Sequence, residues 1–388
     1  MTPAARQSAA IAILDRWIAG QAAEAALTQW GRASRFAGSG DREAVRDLVF
    51  RAVRQRRSAA ALGGGEDGRA LLLGLARMDG AMPEGWTGER HAPAPLTPAE
   101  AALFDQPVPE LPRGVALDCP DWLLPAFDAA LGDDADAVLA QMRDRAPVFV
   151  RVNIAQAPVA SVQAELTAQG IAAQPHPLAV TALEITENAR RLRNTEAFSE
   201  GRIEMQDAAS QAVALQFAAE APAGTQVLDY CAGGGGKALA LAAQGLVVSA
   251  HDADPRRMRD IPVRAGRAGA AVRVLDGAPK GGWTAIFADA PCSGSGSWRR
   301  APEAKWAFTA ERLQALTRIQ DEILAHCARL TAPGGVLGYA TCSMLRAENE
   351  DRVTDFLAAH PGWRCTGSRR LSPLDGGDGF FLAILRRD

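Results

Sequence analysis

From about residue 203 onward the chain alternates short apolar runs with segments of helical period. TQVLDYC precedes KALALAAQG, LVVSAHD precedes PRRMRDIPVRAG, and VRVLD follows; TAIFADA precedes a helix over 309–330, VLGYATC precedes ENEDRVTDFLAAH, and FFLAILRR closes the series. Strands that read apolar throughout are buried on both faces, and strands separated by helices are joined by crossovers instead of hairpins. The pattern predicts a doubly wound, mostly parallel α/β sheet with helices on both sides. Parallel strands open their C-terminal ends on one rim, and ligands bind there. Residues at those strand ends are therefore the ones to read for chemistry.

The chain before this pattern is organised differently. Residues 1–80 read as a helical bundle (AIAILDRWIA, AEAALTQWGRA, DREAVRDLVFRAVRQRR), with Val45, Leu48, Val49, Ala52 and Val53 forming one apolar stripe. Nine prolines in the 43 residues from Pro83 to Pro125 predict a linker over 81–119. Residues 120–202 mix helical and strand periods (PDWLLPAFDAALG, PVFVRVN, VASVQAELTAQG, TALEIT) and predict a small α+β module; 203–388 is the sheet domain.

With 48% hydrophobic and 22% charged residues the chain is expected to be globular, and no apolar run approaches the roughly 20 residues a bilayer span needs. In the opening segment Ile11, Leu14, Trp17 and Ile18 recur at helical spacing, so it reads as a helix and not as a leader, and a cytoplasmic location is expected. The six cysteines lack metal-type spacing, so neither zinc nor a disulfide framework is expected. Cys119, Cys327 and Cys365 read as small buried hydrophobes. The net charge of −3 conceals an arginine-rich start, in which Arg46, Arg51 and Arg54 form the densest cluster. Such a cluster fits a polyanion partner or a solvated helix face, and charge alone leaves both open.

DYCAGGGGK places four glycines between the first strand and its helix. A phosphate-binding P-loop fails here, because Cys231 stands at its first glycine and Ala238 follows Lys237 where a hydroxyl should hold magnesium. A dinucleotide loop is only partly matched by Gly233, Gly235 and Ala238. The strands that follow end on Asp252, Asp276 and Asp289. Three carboxylates on one rim repel a phosphorylated cofactor and suit a cationic one such as the sulfonium S-adenosylmethionine, with Asp252 placed for ribose hydroxyls. Cys231, Ala232, Gly233, Gly234, Gly235, Gly236 and Lys237 are then the cofactor loop, with Asp252, Asp276 and Asp289 around it.

Two further cysteines stand at strand ends. Cys292 lies in APCSGSGS after the fourth strand and Cys342 in ATCSML after the fifth, so a parallel sheet brings them to the same rim. A thiol becomes a nucleophile where its surroundings stabilise the thiolate, and Lys237 or a nearby sulfonium can do so.

EMQDAASQ, DYCAGGGGK, ADAPCSGSGSWRRAPEAKW, YATCSMLRAENE and GDGFFLAIL resemble, in order and spacing, the motifs of the Sun (Fmu) family of RNA cytosine-5 methyltransferases. The resemblance covers residues 120–388, and the helical N-terminal region is similar to the NusB-like domain of the family's ribosomal-RNA branch. It implies a Rossmann-like methyltransferase domain, an RRM-like α+β module that binds RNA, S-adenosylmethionine as cofactor and RNA, above all 16S ribosomal RNA, as partner, with no membrane or metal. It further implies that Cys342 adds to cytosine C6, that Cys292 assists removal of the C5 proton and product release, that Asp289 holds the base edge, and that Lys237 contacts base or cofactor. DNA cytosine methyltransferases use the PC cysteine as nucleophile, so exchanged roles stay open here. Arg299, Arg300, Lys305, Trp298 and Trp306, following the PC turn, are expected to meet RNA by phosphate contact and stacking. The family's usual loop is CAAPGGK; Gly233 and Gly234 here replace Ala and Pro. The alternatives are another RNA substrate such as tRNA, or a non-catalytic RNA-binding scaffold on the same fold.

Overall fold

The computed structural model describes residues 1–388, which form two units. The first comprises Met1–Asp128, Gly132–Arg145 and Trp298–Ala307; the second comprises Ala129–Leu131, Ala146–Ser297 and Phe308–Asp388. No helix is long and apolar enough to cross a membrane.

In the first unit, helices Pro3–Ile18, Ala23–Ala33, Ser39–Arg54, Arg56–Gly63 and Gly68–Met78 bury Ile13, Leu14, Val45, Val49, Val53, Leu71 and Leu73 together. The helix expected to run on to Arg57 breaks at Gln55, because the buried Asp118 carboxylate accepts the backbone N–H groups of Arg57 (2.8 Å) and Ser58 (3.0 Å) and so caps a new helix from outside. The stretch 81–119 is not a free linker. Trp86 is buried and donates to Gln7 Oε1 at 2.6 Å, while Thr97 and Glu100 form a capping box on helix Pro98–Asp105. Glu100 also pairs with Arg69 at 2.6 Å, and this guanidinium holds its carboxyl down at about 2.

The helices over 121–141, expected in the α+β module, also belong to this first unit. Arg143 pairs with Asp118 at 2.9 Å and Arg145 with Asp47 at 3.0 Å.

The second unit holds two sheets. Strands β1 (Val148–Val152), β2 (Ala173–Pro175), β3 (Ala182–Ile185) and β4 (Ile203–Met205) form a four-stranded antiparallel sheet of order β2-β3-β1-β4. The boundary expected at 203 therefore falls inside this module, since β4 pairs with β1.

Strands β5 (Gln226–Asp229), β6 (Val247–Ala250), β7 (Val272–Val274), β8 (Trp283–Asp289), β9 (Thr331–Thr341), β10 (Trp363–Leu371) and β11 (Phe380–Arg387) form a seven-stranded sheet of order β10-β11-β9-β8-β5-β6-β7. The five strands from β5 to β9 are parallel; β11 runs antiparallel to β9, and the edge strand β10 pairs antiparallel with β11. Alternate side chains fill two cores. Val227, Ala285, Phe287 and Leu382 pack under helix Ala208–Ala218, while Leu228, Ile286, Ala288 and Phe381 pack under helix Ala310–Leu330. Chain order reverses at β5, between β6 and β8, which is where a doubly wound sheet opens its ligand crevice.

Candidate active site

β8 and β9 pair in parallel, with Asp289 opposite Ala340 and the ladder extended by Ala290 N–H to Ala340 O at 2.8 Å. Their ends are therefore neighbours. Cys292, three residues past β8, and Cys342, one past β9, place their sulfurs 3.4 Å apart. Both thiols are free and half-buried. Contact with Cys342 first, and then burial, pushes the Cys292 thiol well above its ordinary range, so it is held protonated.

Three motifs close on this point. Gly296 donates to Cys342 O at 2.9 Å, and Gly379 donates to Gly296 O at 2.9 Å. A Cβ on Gly296 would stand 2.1 Å from Gly379 O, so only glycine allows the PC turn and the GDG turn to lie back to back.

On the β5 side, Gly235 turns into helix Gly236–Ala242 with φ 82°, and a Cβ there would strike Ile261 at 2.8 Å. That turn aims Lys237 at Asp289, with 2.5 Å between Nζ and Oδ2, and over the Phe380 ring at 4.8 Å. Burial works against the Lys237 charge, yet the Asp289 carboxylate outweighs it and the net shift is upward; Cys342 is close enough to add to it.

Asp252, just past β6, is buried and accepts from Gly233 N–H and Asp254 N–H, each at 2.9 Å, with Arg257 Nη1 at 3.0 Å. It lines a cleft of about 550 Å³ with Tyr230, Cys231, His251, Pro291 and His326. Pro291 thus belongs to both the cleft wall and the PC turn. Asp276, exposed beyond β7, lines a separate depression with Arg273, Lys280 and Trp283, so the structure does not bring it to this cleft.

Two candidate positions escaped the sequence reading. Asp229 at the end of β5 is buried, and neither carboxylate oxygen makes a hydrogen bond of ordinary geometry. Burial first, then the Asp289 charge, push it up to about 7. A buried carboxyl with no side-chain hydrogen bond, beside Lys237, Asp289 and Asp252, fits a ligand that carries positive charge, as S-adenosylmethionine does in its sulfonium and ammonium groups. The signal was present, since Asp229 precedes the glycine loop, but a strand-ending Asp reads equally as a turn former. The other is Glu348, wholly buried, whose carboxylate receives Ser293 N–H at 2.8 Å, the hydroxyls of Ser293 and Ser343, and Gln320 Nε2 at 3.1 Å.

The expected RNA contacts divide. Arg299 and Lys305 are buried in the first unit, with Lys305 Nζ 3.3 Å from Arg54 O and 4.4 Å from the Trp306 ring centroid. Burial pulls the Lys305 ammonium down to about 8. Trp298 is buried edge-on to Phe127 at 6.3 Å, and Trp306 donates to Val53 O at 2.7 Å. Arg54 is likewise buried and donates to Arg299 O at 3.4 Å. These five pack within the helical unit instead of facing solvent, because two indoles and the stems of the basic residues bury more surface than they would expose. Arg300 is exposed; Arg46 and Arg51 sit at the surface in ion pairs with Glu24 (2.7 Å) and Asp79 (2.6 Å). Of the cysteines read as buried, Cys119 and Cys327 are so, while Cys365 is exposed on β10.

Comparison with known proteins agrees with this geometry. The family described as 16S rRNA methyltransferase RsmB/F matches residues 217–386, and the ferredoxin-like domain of RsmF/B-like methyltransferases matches 119–190. Ribosomal RNA small subunit methyltransferase B of Xylella fastidiosa (strain Temecula1) is 34% identical over 291 residues, covering 69% of this chain and 67% of its own. The protein of the same name from Vibrio cholerae is 34% identical over 286 residues, covering 69% and 65%. Among solved structures, PH0851 covers 100% of this chain and 99% of its own at TM-score 0.79 and 22% identity. NSun6 from Pyrococcus horikoshii covers 69% and 98% at TM-score 0.61 and 17% identity. These last two likenesses concern the fold. The order β2-β3-β1-β4 is that of a ferredoxin-like sheet, the thiol pair lies at the crevice of the larger sheet, and curated relatives match over two-thirds of the chain; it belongs to the RsmB/F family of 16S rRNA methyltransferases.

Proposed function

We propose that this chain, an S-adenosylmethionine-dependent RNA cytosine-5 methyltransferase, acts on small-subunit ribosomal RNA, with Cys342 as nucleophile and Cys292 as the group that assists release. The observation that carries the reading is the 3.4 Å approach of the two thiols beside the Lys237–Asp289 pair. Cytosine C5 is too weak a nucleophile to take a methyl group unaided. Addition of the Cys342 thiolate to C6 moves electron density onto C5. Bound at the glycine loop and Asp252, S-adenosylmethionine supplies the methyl group as an electrophile. Asp289 accepts from the N4 edge and stabilises a protonated N3 as charge develops, and Lys237 orients its carboxylate from 2.5 Å. Once Cys342 is bonded to C6 it no longer holds the Cys292 thiol up, and Cys292 as thiolate helps to remove the C5 proton; the C5–H electrons reform the double bond to C6, and Cys342 leaves as thiolate. The target base must leave its stack before C6 can reach Cys342, at a cost of a few kcal/mol that is smallest in looped RNA.

The ribosomal assignment rests on the names of the curated relatives. Bisulfite sequencing of ribosomal and transfer RNA from a deletion strain tests it. Loss of one small-subunit cytosine signal is expected; intact small-subunit methylation with a lost tRNA signal would move the assignment to tRNA.

A further inference from the structure

Glu348 is the one carboxylate that binds both cysteine turns. Ser293, which follows Cys292, gives it a backbone N–H and a hydroxyl, and Ser343, which follows Cys342, gives it a second hydroxyl. Gln320 from helix Ala310–Leu330 supplies a fourth donor, and Tyr339 on β9 donates to Glu348 O at 2.7 Å. The next residue, Asn349, repeats the tie: Thr341 donates to its Oδ1 at 2.6 Å, and its Nδ2 donates to Ser343 O at 2.9 Å. A buried carboxylate with this many donors is fixed in place, and what it holds is fixed with it. Its charge is also among the causes that push the Cys292 thiol up, after Cys342 and burial.

We propose that Glu348 is a positioning residue of the methyl-transfer reaction: its single buried carboxylate ties the two cysteine turns together and sets their spacing, holding Cys342 where it attacks and Cys292 where it assists release. The proposal rests on the cysteine roles assigned above. The groups facing Cys292 are Cys342, Glu348 and Tyr339, and Tyr339 in turn feels Arg352 and Asp321. Lys237 faces Cys342, with Asp289 and Asp229 around it.

The test is iodoacetamide alkylation of the full-length protein across pH, read for each cysteine by mass spectrometry and therefore independent of RNA and cofactor. In Glu348→Gln, Cys292 alkylation is expected to begin at lower pH than in wild type, bringing the two cysteines toward equal rates. Methyl transfer should fall about 10²-fold, the scale of a misplaced reacting group. Alkylation profiles that superimpose on wild type would overturn the proposal.

If Glu348→Gln does not fold, Ser293→Ala and Ser343→Ala divide the clamp. Ser293→Ala should leave adduct formation intact and slow release, whereas Ser343→Ala should slow adduct formation itself. Equal losses in both steps for both variants would also overturn it. A wild-type protein that methylates no RNA, yet shows the Glu348-dependent difference in thiol reactivity, would sink the functional reading and leave the clamp standing.

Discussion

The sulfurs of Cys292 and Cys342 stand 3.4 Å apart although fifty residues separate them in the chain. Each turn lies at the end of one of two adjacent parallel strands, so the sheet register sets the distance and neither thiol can be lost without exposing the role of the other. Cys342→Ala is expected to abolish methyl transfer and form no covalent RNA complex. Cys292→Ala is expected to add to the base, fail to eliminate, and accumulate a protein–RNA adduct that survives denaturing electrophoresis. An adduct in the Cys342 variant instead would exchange the two roles.

The glycine loop is braced from outside. Arg264 donates to Gly234 O and, at 3.0 Å, to Glu204 on β4 of the smaller sheet, while Arg267 holds the other Glu204 oxygen. Glycines at 233 and 234 carry more entropy to be lost than the Ala-Pro of the usual family loop, and the arginine offsets this by fixing the backbone. Arg264→Ala should weaken S-adenosylmethionine binding about tenfold, roughly 1.4 kcal/mol, by isothermal titration calorimetry. Adding Gly234→Pro in that background should recover part of the loss; an unchanged affinity in Arg264→Ala would show that the loop holds itself.

Much of this site was legible in the sequence because parallel strands converge by rule. Once five apolar runs read as strands, Asp252, Asp289, Cys292 and Cys342 had to lie on one rim. What escaped depended on packing. Glu348 belongs to a helical turn after β9, and no periodicity says that its carboxylate folds back under Ser293. β10 was missed because an edge strand that carries Arg364, Arg369 and Arg370 to discourage edge pairing reads as polar coil. Arg299 and Lys305 follow the PC turn and look like an RNA grip, but both are buried in the helical unit.

That burial divides the arginines by experiment. Arg46→Ala, Arg51→Ala and Arg300→Ala each remove a surface cation and should each reduce the slope of log K for RNA against log salt by up to about 1. Arg54→Ala should leave the slope alone and lower the melting temperature, because it strips a buried stem from the core and removes its contact with Arg299 O, a loss of about 1–3 kcal/mol. A changed slope for Arg54→Ala with unchanged stability would return it to the RNA-binding surface.

Asp229 gives the pH dependence a sign. Its carboxyl is raised from 3.8 to about 7 in the fold, by burial first and by the charge of Asp289 second. The folded state therefore holds a proton that the unfolded chain releases. The stability this provides is complete below about 3.8 and is lost as pH rises through about 7, a difference on the order of 4 kcal/mol. Asp229→Asn cannot lose that proton. Its melting temperature should stay flatter than that of wild type between pH 4 and 8, and it should be the more stable protein at pH 8. It should also bind S-adenosylmethionine more weakly, because the buried carboxylate no longer balances the ligand's positive charge. Thermal melts of the two proteins without cofactor across that range decide the matter: superimposable curves would mean that Asp229 is ionised throughout and that its buried charge is balanced by Lys237 alone.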